Sequence, residues 1–99
     1  MIIPKKVKIF GFEFDVSFKE DLDKVSGIDG KIDFDTQTII IEPDRPQRVL
    51  EAIFIHEVLH GCLSYAGFDT LSDNESFVEA VGNALHQALT TSEGDLING

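Results

Sequence analysis

Hydrophobic and polar positions alternate from Val7 to Phe18. Phe10, Phe12, Phe14, Val16 and Phe18 fall on one parity, and Glu13, Asp15 and Ser17 on the other. A period of two is the signature of a half-buried strand. Gly11 interrupts the run and reads as a turn or bulge, so strands are expected over about 5–10 and 12–17, paired as a hairpin. Residues 19–30 are polar and read as a loop with room for one helical turn. Lys31-Ile32-Asp33-Phe34 and Thr38-Ile39-Ile40-Ile41, separated by Asp35-Thr36-Gln37, form a second hairpin pattern. Its isoleucine triplet implies a strand covered on both faces or one facing a binding groove.

Pro43 and Pro46 close the strand region. Asp44 is placed to cap a helix and Pro46 suits a first helical turn. A long helix is expected to run to about Ala66, with Gly67 as its stop. Leu50, Ile53, Phe54, Ile55, Val58, Leu59, Cys62, Leu63 and Ala66 make it apolar around most of its circumference. Such a helix is buried on several sides, where unpartnered polar residues are expensive. A last helix is expected from about Ser72 to between Ala88 and Thr90, with an apolar stripe of Phe77, Val78, Val81, Leu85, Ala88 and Leu89. The tail 91–99 is expected to fray. The fold class is α+β: a small antiparallel-rich sheet of three to four strands, then two packed helices.

The chain has 99 residues, which suits a single domain over 1–99. Its formal net charge of −10 disfavours nucleic acid and anionic membranes as partners. Lys5, Lys6 and Lys8 read as a solvated strand face. Cys62 is the single cysteine, so no intrachain disulfide can form, which suits a reducing cytoplasm. The first residues lack a signal-peptide core and no apolar run would span a bilayer, so a cytoplasmic location, bacterial or in a phage-infected cell, is expected.

The chemistry lies in His56-Glu57-Val58-Leu59-His60. Residues advance by roughly 100° each along a helix, so the two histidines share a face and can hold one metal ion. Glu57 lies beside that face, where it can take a proton from water activated by zinc. Such a match arises in about one shuffled sequence of this composition in two hundred, so context must support it. Here the motif falls inside an otherwise apolar helix, where two histidines and a glutamate need a metal or an internal network.

Catalytic zinc sites use a third protein ligand and leave a position open. Cys62 points roughly 200° away from His60 and reads as core. Ala66 occupies the position where an extended motif would place a third histidine. Asp69 and Asp73 sit in a loop or cap setting. Glu75 and Glu79, four residues apart on the last helix, share a face and are the stronger pair. Ser72-Asp73-Asn74-Glu75 is also a capping box, which would fold Glu75 back onto the backbone and leave the ligand role to Glu79. Either glutamate can instead orient an imidazole as a neighbour to the metal ligands. His86 reads as a surface residue or such a neighbour. Tyr65 points away from His60. Gly61 and Gly82, both helix-interior, are explained if the two metal-bearing helices pack closely.

Asn74-Glu75-Ser76-Phe77-Val78-Glu79 resembles the gluzincin pattern Asn-Glu-x-x-x-Asp, with Glu79 where that pattern has aspartate. Over roughly residues 7–90, the order of sheet, metal motif, short loop and acidic helix resembles the minimal phage-type gluzincins, distantly ImmA/IrrE-like. The resemblance implies a zincin-like fold, a Zn2+ cofactor and a metallopeptidase. Its metal ligands would be His56, His60 and Glu75, its general base Glu57, and its partner a protein or peptide substrate. It also implies that an extended peptide pairs with a sheet edge beside the active-site helix, and Thr38, Ile39, Ile40 and Ile41 are the expected edge. The alternative is a catalytically silent protein of the same fold that binds and regulates a protein partner.

Overall fold

In a computed structural model of the chain, residues 1–20 and 29–91 are described. Most of the loop expected over 19–30, and the tail 92–99, lie outside the described residues. Four strands form one sheet: β1 (Lys6–Ile9), β2 (Phe12–Phe18), β3 (Gly30–Asp33) and β4 (Thr38–Ile41). Three helices follow: α1 (Gln47–Tyr65), the short α2 (Asp69–Ser72) and α3 (Glu75–Thr91). The architecture is α+β with a mixed sheet.

The strand order is β1-β2-β4-β3. Both expected hairpins form: β1 pairs antiparallel with β2, and β3 with β4. They join through a parallel pairing of β2 with β4, aligned as Val16 beside Ile39. The first hairpin turns on Phe10 and Gly11, both left-handed with φ of 51° and 84°. Positive φ at both central residues matches the strands' right-handed twist.

That order corrects the expectation for residues 38–41. Strand β4 lies between β2 and β3, so both its edges are already paired and no peptide can add to it. Its isoleucines serve the core instead, Ile39 and Ile41 being fully buried. Among the described residues the outer strands are β1 and β3, and β3 borders the cleft beside helix α1. The long apolar parity of β2 is also only half used. Phe14 and Val16 are buried, whereas Phe12 and Phe18 at the strand ends, and Phe10 in the turn, are exposed.

Helix α1 lies across the inner face of the sheet, where Ile9, Phe14, Val16, Ile39 and Ile41 meet Phe54 and Ile55. Burying side chains of this size stabilises by roughly 1.5–3 kcal/mol each. Gly61 permits the close approach: a Cβ there would stand 2.9 Å from the Cδ1 atoms of both Ile32 and Ile9. Gly61 thus serves helix-on-sheet packing, not the helix pair as expected. Gly82 lies on the helix pair, but a Cβ there would sit 3.7 Å from the Cα of His56, an ordinary contact, so that packing does not require glycine.

Pro46 is the N-cap of α1, and Asp44 supplies no side-chain cap. At the other end Gly67, with φ of 90°, stops the helix as expected. The Gly67 N–H donates to the Ser64 carbonyl and the Phe68 N–H to that of Leu63, the paired bonds of a Schellman ending. The last helix starts at Glu75 rather than about Ser72, and the short α2 precedes it. Asn74 caps α3, its Oδ1 accepting from the Phe77 N–H at 3.0 Å. Among the described residues, no helix is long and apolar enough to cross a membrane.

Candidate metal centre

Helices α1 and α3 run antiparallel along a seam of histidines and carboxylates. His60 faces Glu75 near one end, His56 faces Glu75 and Glu79, and Glu51 faces His86 toward the other. The start of α3 decides what Glu75 can do. Asn74, rather than Ser72, is the cap, so Glu75 is the first helical residue and the expected capping box does not form. The Ser72 N–H bonds to Phe68 O instead. Glu75 is left free to face the histidines.

Three ligand-type groups converge. The Nε2 atoms of His56 and His60 lie 3.1 Å apart. Glu75 Oε2 is 3.2 Å from His56 Nε2, and its Oε1 is 2.9 Å from His60 Nε2. Among the described residues this trio alone gathers at least three ligand atoms within 4.8 Å of one another. Zinc binds nitrogen and oxygen at about 2.0–2.2 Å, so tetrahedral ligand atoms stand about 3.3 Å apart. The two imidazole nitrogens stand at about that spacing, with one Glu75 oxygen 3.2 Å from His56 and the other 2.9 Å from His60.

The outer nitrogens argue the same way. Ser72 Oγ donates its one proton to the carbonyl of His60 at 3.2 Å. It therefore accepts from His60 Nδ1–H at 3.3 Å. Glu79 Oε2 lies 3.3 Å from His56 Nδ1, which favours a proton on that nitrogen. The Glu75 oxygens, 3.2 Å from His56 Nε2 and 2.9 Å from His60 Nε2, can be met there by ring protons or by a cation, and a cation fits the tautomers in which the outer nitrogens carry the N–H.

Glu57 is 7% exposed and lines the same cleft. Burial, and secondarily the nearby Glu75 charge, pushes its carboxyl up to about 7. The cleft has a volume of about 950 Å³ and runs between the β3 edge and the α1–α3 seam. Gly30, Lys31 and Ile32 of β3 form its wall opposite the histidines.

Other expected candidates fall elsewhere. Cys62 is half-buried beside the core and burial raises its thiol. Asp69 accepts from Ser64 Oγ at 2.8 Å. Tyr65 stacks on Phe12, outside the cleft lining. His86 is not a surface residue: it is buried and donates to Glu51 Oε1 at 2.9 Å. Sequence reasoning missed the roles of Ser72 and Glu51. Glu51 left one signal, a charge on a helix otherwise apolar around most of its circumference. Ser72 left none, because its link to His60 spans the turn between helices.

No family model, curated protein or solved structure matches this chain.

Proposed function

We propose that the chain is a zinc-dependent peptidase of zincin-like design, with His56, His60 and Glu75 as metal ligands and Glu57 as general base. One observation carries this reading: the Nε2 atoms of His56 and His60 lie 3.1 Å apart with a Glu75 oxygen against each, beside a buried glutamate. When bound, zinc supplies Lewis acidity, which acidifies water and polarises a carbonyl oxygen.

The chain's own residues do the rest. Glu79 and Ser72 hold the rings in the ligating tautomer, as neighbours of metal-bound histidines commonly do. Glu57 accepts a proton from the attacking water and returns it to the leaving amine. The sheet shields this carboxylate on one side, since Gly30 brings the backbone of β3 close to its Cγ. Strand β3, an outer strand that lines the cleft, has no strand on its other side among the described residues and can take an extended peptide there. This edge replaces residues 38–41 as the substrate strand.

The test is a Glu57→Gln variant assayed against an unstructured protein substrate, with products read by mass spectrometry. The variant should keep stoichiometric zinc and lose roughly 10²–10⁴-fold in rate, the range general-base removal produces. Cleavage by the variant at the wild-type rate would remove Glu57 from the mechanism. Zinc binding without cleavage by the wild type would favour the silent, partner-binding alternative.

A further inference from the structure

A cluster of aromatic rings stands open to solvent where the cleft runs past the end of β3. Phe12 stacks on Tyr65 with centroids 4.8 Å apart, and Phe34 meets the same ring edge-on at 5.4 Å. Phe10 lies 6.4 Å from it. Phe10 is 62% exposed, Phe12 46% and Phe34 38%. Scattered apolar residues are ordinary on a surface, but contiguous ones mark interaction sites. Phe34 also lines the cleft, so patch and cleft are one continuous surface.

Phe10 adds an independent observation. It occupies a left-handed turn position, φ of 51°, where asparagine or glycine would sit without strain. Its side chain neither eases the turn nor enters the core. Its ring faces Tyr65, at the centre of the patch.

Charge decides what covers this surface. A second copy would bring together two chains of net charge −10. The adjoining cleft sets Asp29, Asp73, Glu75 and Glu79 against Lys31 and Arg48, which leaves it acidic on balance. A cationic peptide meets the opposite field. Entering along β3, it would leave that strand at Asp33, pass Phe34 and reach the Tyr65 ring. We propose that Phe10, Phe12, Phe34 and Tyr65 form an exosite that grips a large apolar side chain of a cationic peptide substrate, next to the cleft that cuts it. This rests on the peptidase reading. Lysines flanking the gripped residue gain from the ring faces as well.

The probe is a set of short lysine- and alanine-containing peptides in which one phenylalanine is walked along the chain. An all-alanine counterpart serves as reference. Phe10→Asn keeps the turn conformation and Phe12→Thr keeps strand propensity. For the best-placed phenylalanine, the zinc-loaded protein should show a KM about threefold to tenfold below the reference. Either variant should erase that difference with kcat little changed. Calorimetric titration of the same peptides into Glu57→Gln protein reads binding without chemistry. A phenylalanine preference there, lost in the Phe10 and Phe12 double variants, with no cleavage by the wild type, would keep the exosite and overturn the peptidase reading. Equal binding of all peptides, cleaved or not, would overturn the exosite. So would a dimer that Phe10→Asn dissociates, because a second copy would then be what covers the patch.

Discussion

A histidine ring offers a metal only one nitrogen at a time, and what its other nitrogen touches decides which. In the proposed site Glu79, 3.3 Å from His56 Nδ1, and Ser72, 3.3 Å from His60 Nδ1, make that choice. Ser72→Ala removes the acceptor at His60 Nδ1 and lets the ring adopt the wrong tautomer. Zinc affinity should fall about tenfold or more, as it does when such neighbours are lost, while thermal stability without metal stays near wild type. Competition with a zinc chelator measures the affinity. Ser72→Thr, which keeps the hydroxyl, should restore most of it. Unchanged affinity in Ser72→Ala would show that the hydroxyl does not set the ring. The Glu75 and Glu79 roles were readable only as a pair, since both project from one helix face. The deciding feature was Asn74, whose cap bond starts α3 two residues later than a Ser72 cap would and releases Glu75.

Between elements, the seam of α1 and α3 brings Glu75 and Glu79 to the histidines, and Gly82 lies on that seam against His56. A Cβ at Gly82 would meet His56 backbone at ordinary contact distance, so Gly82→Ala should be tolerated. It should even stabilise α3 by up to about 1 kcal/mol, the helix-propensity difference. Gly82→Leu has no such room and should push Glu75 and Glu79 away from the histidines. A zinc affinity at least about tenfold weaker is expected for leucine alone, against chemical denaturation curves for both variants. Equal zinc affinity in both would mean that the helix spacing does not govern the site. The hairpins, α1 and its Gly67 ending were legible because alternation, helical periodicity and a stop glycine are local signals. The parallel union of β2 with β4 was not, because nothing in residues 12–18 or 38–41 states which neighbour each takes. That non-local choice placed the isoleucine strand inside the sheet and left β3 as the outer strand beside the cleft.

For the molecule as a whole, the far end of the same seam supports the fold. Glu51 is 7% exposed, and burial alone would raise its carboxyl. Hydrogen bonds from His86, Gln47 and the amine of Met1 outweigh that and hold it below the ordinary range. A carboxylate lowered in the folded state contributes stability at neutral pH, and that contribution is lost as pH falls through its folded value. Glu51→Gln should therefore be less stable than wild type at pH 7. The gap should close as acid falls below the usual glutamate value of 4.5. Urea unfolding at a series of pH values checks this, and a gap that persists in strong acid would assign the effect to packing. This pair was invisible in the sequence: Glu51 and His86 are 35 positions apart and meet only because the helices run antiparallel. The aromatic patch was hidden for a related reason. Phe10 and Phe12 share the parity of core residues, and only the turn geometry shows that they stand outside.

X-ray absorption at the zinc edge of the metal-loaded protein tests the metal centre most directly. The account predicts one zinc per chain with only nitrogen and oxygen neighbours at about 2.0–2.2 Å, two of them imidazoles, and loss of one imidazole in His60→Ala. A sulfur neighbour at about 2.3 Å would bring Cys62 into the site, and a zinc with no imidazole would place it elsewhere. Either result would contradict the account.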